Sequence, residues 1–347
     1  MADGLHVGAQ LYVSRDAQPL ATLAIGDARP DVAMTADTLV PWLSCSKPIG
    51  AVAMAQLRER GVLDFDDRVA HHIPEFAVNG KDAITIRQLL MHTSGVRAPG
   101  LGWEGRSWDQ IIAMICGMSL QPGWTPGEKA AYSPAVGWYI LGDIVRRVDG
   151  RTYDRYVRDE IFEPLGMHDA WIGMPADRYR ACGERIALMP DTSKSPPAFR
   201  SPAEDQFEAT RTRPGGGGRG PVRQLVRFYE MLLAGGENIV SPESVRDLTA
   251  RQRVGMFDNT FRHVMDWGLG FIINSAKYGK ETVPYGFGDH ASEEAFGHGG
   301  AQSSASFADP KHGLAVAAMW NGTPGEAKHQ ARARATLTAL YEDLSLA

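Results

Sequence analysis

Segments of extended character stand at the two ends of this chain, with a long helical stretch between them. Leu5–Val13 and Leu20–Gly26 read as a hairpin around a polar turn, Ser14–Pro19. Near the other end, Trp267–Asn274, Ser303–Ala308 and Leu314–Trp320 read as strands, the last two joined through Asp309–Gly313. Isolated hairpins are marginal, so the terminal strands must find one another and bury a common face. The expected fold is α/β (α+β): an antiparallel sheet built from both termini, flanked by helices, with a helical lobe inserted. One domain over 1–347 is expected, with an α/β lobe of about 1–64 and 221–347 and a mainly helical lobe of about 65–220.

The helical expectations rest on apolar spacing. They are Ser44–Arg60 (stopped by Gly61), Ile84–Met91, Trp108–Met118, Ala135–Val148, Tyr153–Phe162, Val222–Ala234 and an alanine-rich closing helix, Gly325–Leu344. Pro190–Gly220, rich in Pro, Ser, Gly and charge, reads as a long surface loop that gates whatever cleft it borders. Hydrophobic residues at 44% and charged residues at 22% suit a globular chain with a real core. A net charge of −5 gives no electrostatic case for nucleic acid or an anionic membrane. The 3 cysteines, Cys45, Cys116 and Cys182, imply no disulfide framework. MADGLHVGAQLYV lacks a basic leader and a long apolar run, so a cytoplasmic protein without membrane insertion is expected.

Chemistry concentrates in Ser44-Cys45-Ser46-Lys47. Residues three apart share a helix face, so Ser44 and Lys47 can meet while Ser46 points elsewhere. A serine hydroxyl needs a neighbouring base, and lysine serves as one when burial lowers its pKa. Pro48 belongs in a first helical turn, which sets Ser44 at the helix start, beside free backbone N–H groups. No other serine here has lysine three residues on; Ser94…Arg97 comes nearest, and arginine stays protonated. By itself the tetrapeptide is also compatible with a plain N-cap.

The surrounding segments settle on a resemblance. LSCSKPIGAVAMAQLRERGVLDFDDRV, ITIRQLLMHTSGV, PGEKAAYSPAVGWYILGDIVRRVDG, IFEPLGM, RFYEMLLAGG and FGHGGAQSS occur in an order that resembles the serine β-lactamase and penicillin-binding-protein superfamily. The likeness is strongest to its class C-like esterase, D-aminopeptidase and transacylase branch, and spans nearly the whole chain. It implies that Ser44 is acylated, that Lys47 shares its proton, and that Tyr132 assists proton transfer to the leaving group. His298-Gly299-Gly300 matches the third motif, a substrate-binding strand. At that strand's start the N–H of Ala301 is expected to join the N–H of Ser44 as an oxyanion hole. The two glycines are expected to let backbone approach the acyl group.

Relatives usually carry asparagine two residues after the tyrosine; here Pro134 stands there, with no side-chain donor. That weakens β-lactam hydrolysis and ordinary peptide recognition. It leaves ester or amide cleavage through acyl-Ser44, or transfer to an amine or alcohol acceptor, as in a specialised-metabolite transacylase or amide synthase. The rival from another class is a penicillin-binding sensor or an inactive binding module.

His92-Thr93-Ser94-Gly95 reads as a structural turn without a catalytic role. Trp103, Trp108, Trp124 and Trp138 are candidates for an aromatic wall, with core packing the alternative. Gly100-x-Gly102-x-x-Gly105 and Gly215-x-Gly217-x-x-Gly220 lack the βαβ context of a dinucleotide site. No G-x-S-x-G elbow occurs, and Asp289, His290, Glu293 and His298 match no metal spacing, so neither metal nor cofactor is expected. Cys45 reads as a small buried side chain rather than a rival nucleophile.

Overall fold

The protein is described by a computed structural model covering residues 3–98 and 105–347. Its strands are β1 (Gly8–Arg15), β2 (Gln18–Arg29), β3 (Val32–Ala33), β4 (Val40–Leu43), β5 (Trp171–Ile172) and β6 (Gly218–Gly220). They continue as β7 (Arg253–Asp258), β8 (His263–Trp267), β9 (Ile272–Ile273), β10 (Phe296–Gly300), β11 (Ser304–Asp309) and β12 (Leu314–Asn321). A nine-stranded sheet runs β3-β2-β1-β12-β11-β10-β9-β8-β7, so the two ends of the chain meet at the β1–β12 ladder. That ladder is antiparallel, from Gly8 opposite Asn321 to Arg15 opposite Leu314.

β12, LAVAAMWN, is buried at every position because both of its faces are covered. Ala315, Ala317 and Met319 enter the core shared with helix Val222–Leu233. Leu314, Val316, Ala318 and Trp320 enter the core closed by Ala333, Leu337 and Tyr341 of helix Glu326–Asp343. The period-2 alternation of a strand thus distributes one segment between two cores. Helix Lys47–Glu59 is apolar nearly all round and buried from Lys47 through Leu57. It packs against Val136–Asp149 and presents its first turn to β10.

Several boundaries differ from those expected, for local reasons. The first turn is only Asp16-Ala17, both at positive φ (52° and 58°), a tight hairpin in place of Ser14–Pro19, and β1 begins at Gly8. Trp267–Asn274 is not one strand: the chain turns at Gly268–Gly270, with Gly270 at φ 81°, between β8 and β9. Tyr153–Val157 is α-helical and Arg158–Phe162 continues as a π-turn. The largest departure is Pro190–Gly220. It holds helix Pro202–Ala209, capped reciprocally by Ser201 and Glu204, and the buried strand β6 between β4 and β5. Glycine is required in β6 by contact, since a Cβ on Gly218 would lie 2.4 Å from Ser46 Oγ and one on Gly220 2.8 Å from Trp42. The hairpin β7–β8 carries no turn signature of the usual kind and was not expected.

Gly297 sits mid-sheet in β10, where a Cβ would meet Ser306 O at 2.2 Å. Gly297→Ala is expected to cost about 1–3 kcal/mol, as overpacking of a closed core does, read from the midpoint of urea unfolding at unchanged slope.

Candidate active site

β4 delivers the chain to Ser44 through an unusual residue. Leu43 adopts φ 51° and ψ −131°, a conformation that costs a bulky side chain about 1–3 kcal/mol. Ser46 holds the bend: its hydroxyl donates to Leu43 O (2.6 Å) and accepts from Gly218 N (2.8 Å). Ser44–Ser46 form one 3-10 turn, and Lys47 opens the helix with Pro48 in its first turn.

Lys47 is fully buried. Its Nζ donates to Gly215 O (2.5 Å) and contacts Ser44 Oγ (2.9 Å). The rings of Tyr132 and Trp138 lie 5.1 and 5.7 Å from the nitrogen, and among the described residues it forms no ion pair. Burial therefore drives its pKa well below the ordinary lysine value, favouring the neutral amine. Gly215 has to be glycine for this contact, because a Cβ would lie 2.6 Å from Pro134 O and 3.0 Å from Trp138.

Tyr132 reaches the same oxygen from the other side, its OH donating to Ser44 Oγ at 2.8 Å. Burial raises its pKa far above the ordinary tyrosine value, so the neutral phenol is the form present. Its ring stacks on Phe261 (4.7 Å between centroids) and packs against His92 (4.8 Å) and Trp267 (5.9 Å). The backbone N–H of Tyr132 donates to both oxygens of Asp258 (3.1 Å each), and Thr260 Oγ1 donates to Tyr132 O (2.9 Å). Asp258 also accepts from Thr260 N, Phe261 N and the buried Arg253. The unforeseen hairpin thus seats the tyrosine.

His92 does more than close a turn. At φ 57° its Nδ1 accepts from Ser133 N (3.2 Å), placing its ring under Tyr132 and, with burial lowering its pKa, keeping it neutral. His298 is 1% exposed; its Nδ1 donates to Gly299 O (2.7 Å), and burial, then the nearby Lys47, takes its pKa down to about 3. It carries no charge at physiological pH.

A cleft of about 260 Å³ opens over Ser44, walled by Leu43, Pro134, Ala135, Tyr139, Gly216 and Ala301, with Glu208, Arg211 and Arg213 at its rim. Ala301 follows the end of β10, not its start. Its turn is braced from behind: Gln302 O accepts from Arg332 Nη2 (2.6 Å), and Gln302 Oε1 from Gly325 N (2.7 Å). Arg332 also ties Leu5 O and Gly322 O, joining both chain ends to that turn.

Of the expected substrate-binding residues, Pro134 lines the cleft, whereas His298, Gly299 and Gly300 lie behind its wall. The glycines are small for the protein's own sake: a Cβ on Gly299 would lie 2.1 Å from Tyr285, and one on Gly300 2.1 Å from Ser304 Oγ. Trp138 borders Lys47. Trp124 packs over Gly95, and Trp108 donates to Asp143 (2.8 Å). Trp103, Gly100 and Gly102 lie outside the described residues. Cys45 is buried with its thiol on His298 O (3.1 Å), and burial raises its pKa. Asp289 is held by Arg334, and His290 faces Glu342.

Sheet, inserted helices and a serine–lysine–tyrosine cluster at their junction define a class, and comparison with known proteins agrees. Residues 1–341 match the family model described as Beta-lactamase. The chain belongs to the beta-lactamase family of serine hydrolases. It is 26% identical over 343 aligned residues to the esterase/beta-lactamase LipL of Mycobacterium tuberculosis, covering 90% of this chain and 77% of that protein. A penicillin-binding protein homologue from Caulobacter crescentus superposes with a TM-score of 0.79 at 29% identity, covering 97% and 93% of the two chains. A family VIII carboxylesterase does so at 0.77 and 26%, covering 97% and 94%. Among the described residues no helix is long and apolar enough to cross a membrane.

Asp258→Ala would leave Arg253 buried without its acid and Tyr132 N without its acceptor. A loss of about 3–5 kcal/mol is expected in chemical denaturation, and pairing it with Arg253→Met should recover part of that loss.

Proposed function

We propose that the protein is a serine esterase that forms an acyl-Ser44 intermediate from small esters and passes the acyl group to water or to an amine or alcohol. One observation carries this reading: Ser44 Oγ sits between Lys47 Nζ (2.9 Å) and Tyr132 OH (2.8 Å) at the base of a cleft. With Lys47 neutral, its lone pair takes the Ser44 proton while its own N–H stays on Gly215 O. The serine oxygen then attacks the ester carbonyl carbon. The oxyanion is met by the backbone N–H groups of Ser44 and Ala301. Collapse expels an alkoxide, which takes a proton from Tyr132 OH as Lys47 re-protonates the phenolic oxygen. The predominantly apolar wall of Leu43, Pro134, Ala135 and Tyr139 suits a short acyl chain, and supports an ester over a peptide. The likeness to a family VIII carboxylesterase and to an esterase/beta-lactamase supports the same choice.

The test is turnover of p-nitrophenyl acetate and butyrate, with mass spectrometry of the intact protein. A burst and an acyl adduct are expected, with Ser44→Ala removing the adduct and lowering kcat roughly a thousandfold or more. Activity that survives the substitution would overturn the reading.

The pH profile tests the protonation states. Lys47 must be unprotonated, so kcat/KM should rise as pH climbs through its lowered pKa and then level off. His298, neutral above about 3, adds no inflection near neutrality. Loss of the Tyr132 proton is displaced above the ordinary value of 10.0, so the plateau should extend past pH 9. A bell centred near pH 6.5 would instead identify a histidine as the base.

A further inference from the structure

The rim of the Ser44 cleft holds a guanidinium with one edge in use. Arg213 meets Glu208 through Nη1 (2.6 Å to Oε2). Its Nε is buried and has no hydrogen-bond partner among the described residues. A buried N–H left unpaired is costly, and burial here depresses the guanidinium's pKa, so a further anionic partner would be stabilising. The main chain fixes the residue in place, because Arg213 O accepts from Gly216 N (3.1 Å) and Gly217 N (2.8 Å), next to the Gly215 carbonyl that holds Lys47. Arg213 also stands at a junction. Together with Leu43, Glu208 and Ala301 it walls both the Ser44 cleft and an adjoining groove of about 600 Å³ beneath helix Pro202–Ala209.

A guanidinium is a planar fork whose Nε–Nη2 edge matches the two oxygens of a carboxylate. His298, neutral and buried, cannot read a substrate charge. Building on the esterase reading, we propose that Arg213 reads a carboxylate on the substrate. The preferred substrates are then half-esters or esters carrying a carboxylate a few atoms from the scissile carbonyl. The anion takes up the partnerless Nε N–H, the side chain shifting to present it, while Glu208 retains Nη1.

Two matched pairs locate that carboxylate. Mono-p-nitrophenyl glutarate against p-nitrophenyl valerate probes the acyl side, and 4-acetoxybutyrate against butyl acetate probes the alcohol side. In one pair the anionic member should be preferred by about tenfold or more in kcat/KM, as a charge-assisted hydrogen-bonded pair provides. The preference should collapse towards unity in Arg213→Gln and be partly kept in Arg213→Lys. No anionic preference in either pair, or a preference unchanged in Arg213→Gln, overturns the proposal; a merely structural defect lowers both members alike.

A second measurement is independent of turnover. Monomethyl glutarate titrated calorimetrically into Ser44→Ala should bind at least about tenfold more tightly than into Ser44→Ala/Arg213→Gln. Equal affinities overturn the carboxylate role even where neutral esters are turned over. Arg213-dependent binding without turnover of any ester would remove the esterase reading and keep the anion site.

Discussion

The amine of Lys47 is the point on which the site's construction depends. Among the described residues no carboxylate pairs with it, so the environment favours a neutral nitrogen held by one carbonyl and one hydroxyl. Between its lowered folded value and the ordinary 10.5, the unfolded chain binds a proton there that the folded chain does not. Stability therefore rises with pH across that window, and at neutral pH the residue costs the fold free energy. A second cost sits beside it in the backbone of Leu43. The helix-covered faces of β11 and β12, buried throughout, offset both.

Two regions far apart in sequence, around 132–138 and at 215, meet around that nitrogen. The Gly215 carbonyl arrives from the segment before β6, Trp138 from the helical insert, and Tyr132 from the loop seated by Asp258 on the β7–β8 hairpin. Each is fixed by a contact that leaves no room for a larger residue or demands a buried partner. Arg332, with burial lowering its pKa to about 10, still carries its charge and spends it on carbonyls of both chain ends and of the Ala301 turn. Closing the sheet from both termini and shaping the turn over Ser44 are therefore one packing problem.

This explains which parts were legible in the sequence. The terminal strands, the long helices and the Ser44–Lys47 spacing follow from periods of two and of three to four residues, and Tyr132 came through the family's motif order. What escaped was set by tertiary contact. Asp258 and Arg253 belong to no sequence motif, and their role appears only where Tyr132 N needs an acceptor. Four consecutive glycines suggested a free loop, yet Gly215 and Gly218 are packed against Trp138 and Ser46. His298 looked like a substrate-facing group because motif position carries no information about burial. Arg213 belongs to no motif; the cue available was its place beside the glycine run.

The proposed chemistry also constrains the second half-reaction. Lys47 and Tyr132 are the groups placed to move protons at Ser44 Oγ, so the acceptor that releases the acyl group must have its proton taken along the path by which the leaving group received one. An acceptor shaped like the departed alcohol fits the space just vacated, whereas water has to be held there by polar groups. Pro134, which supplies no donor or acceptor side chain at the cleft wall, removes one means of holding it. Partition between hydrolysis and transfer is then governed by how well an alcohol or amine fills the leaving-group side of the cleft, and little by any change in the nucleophile.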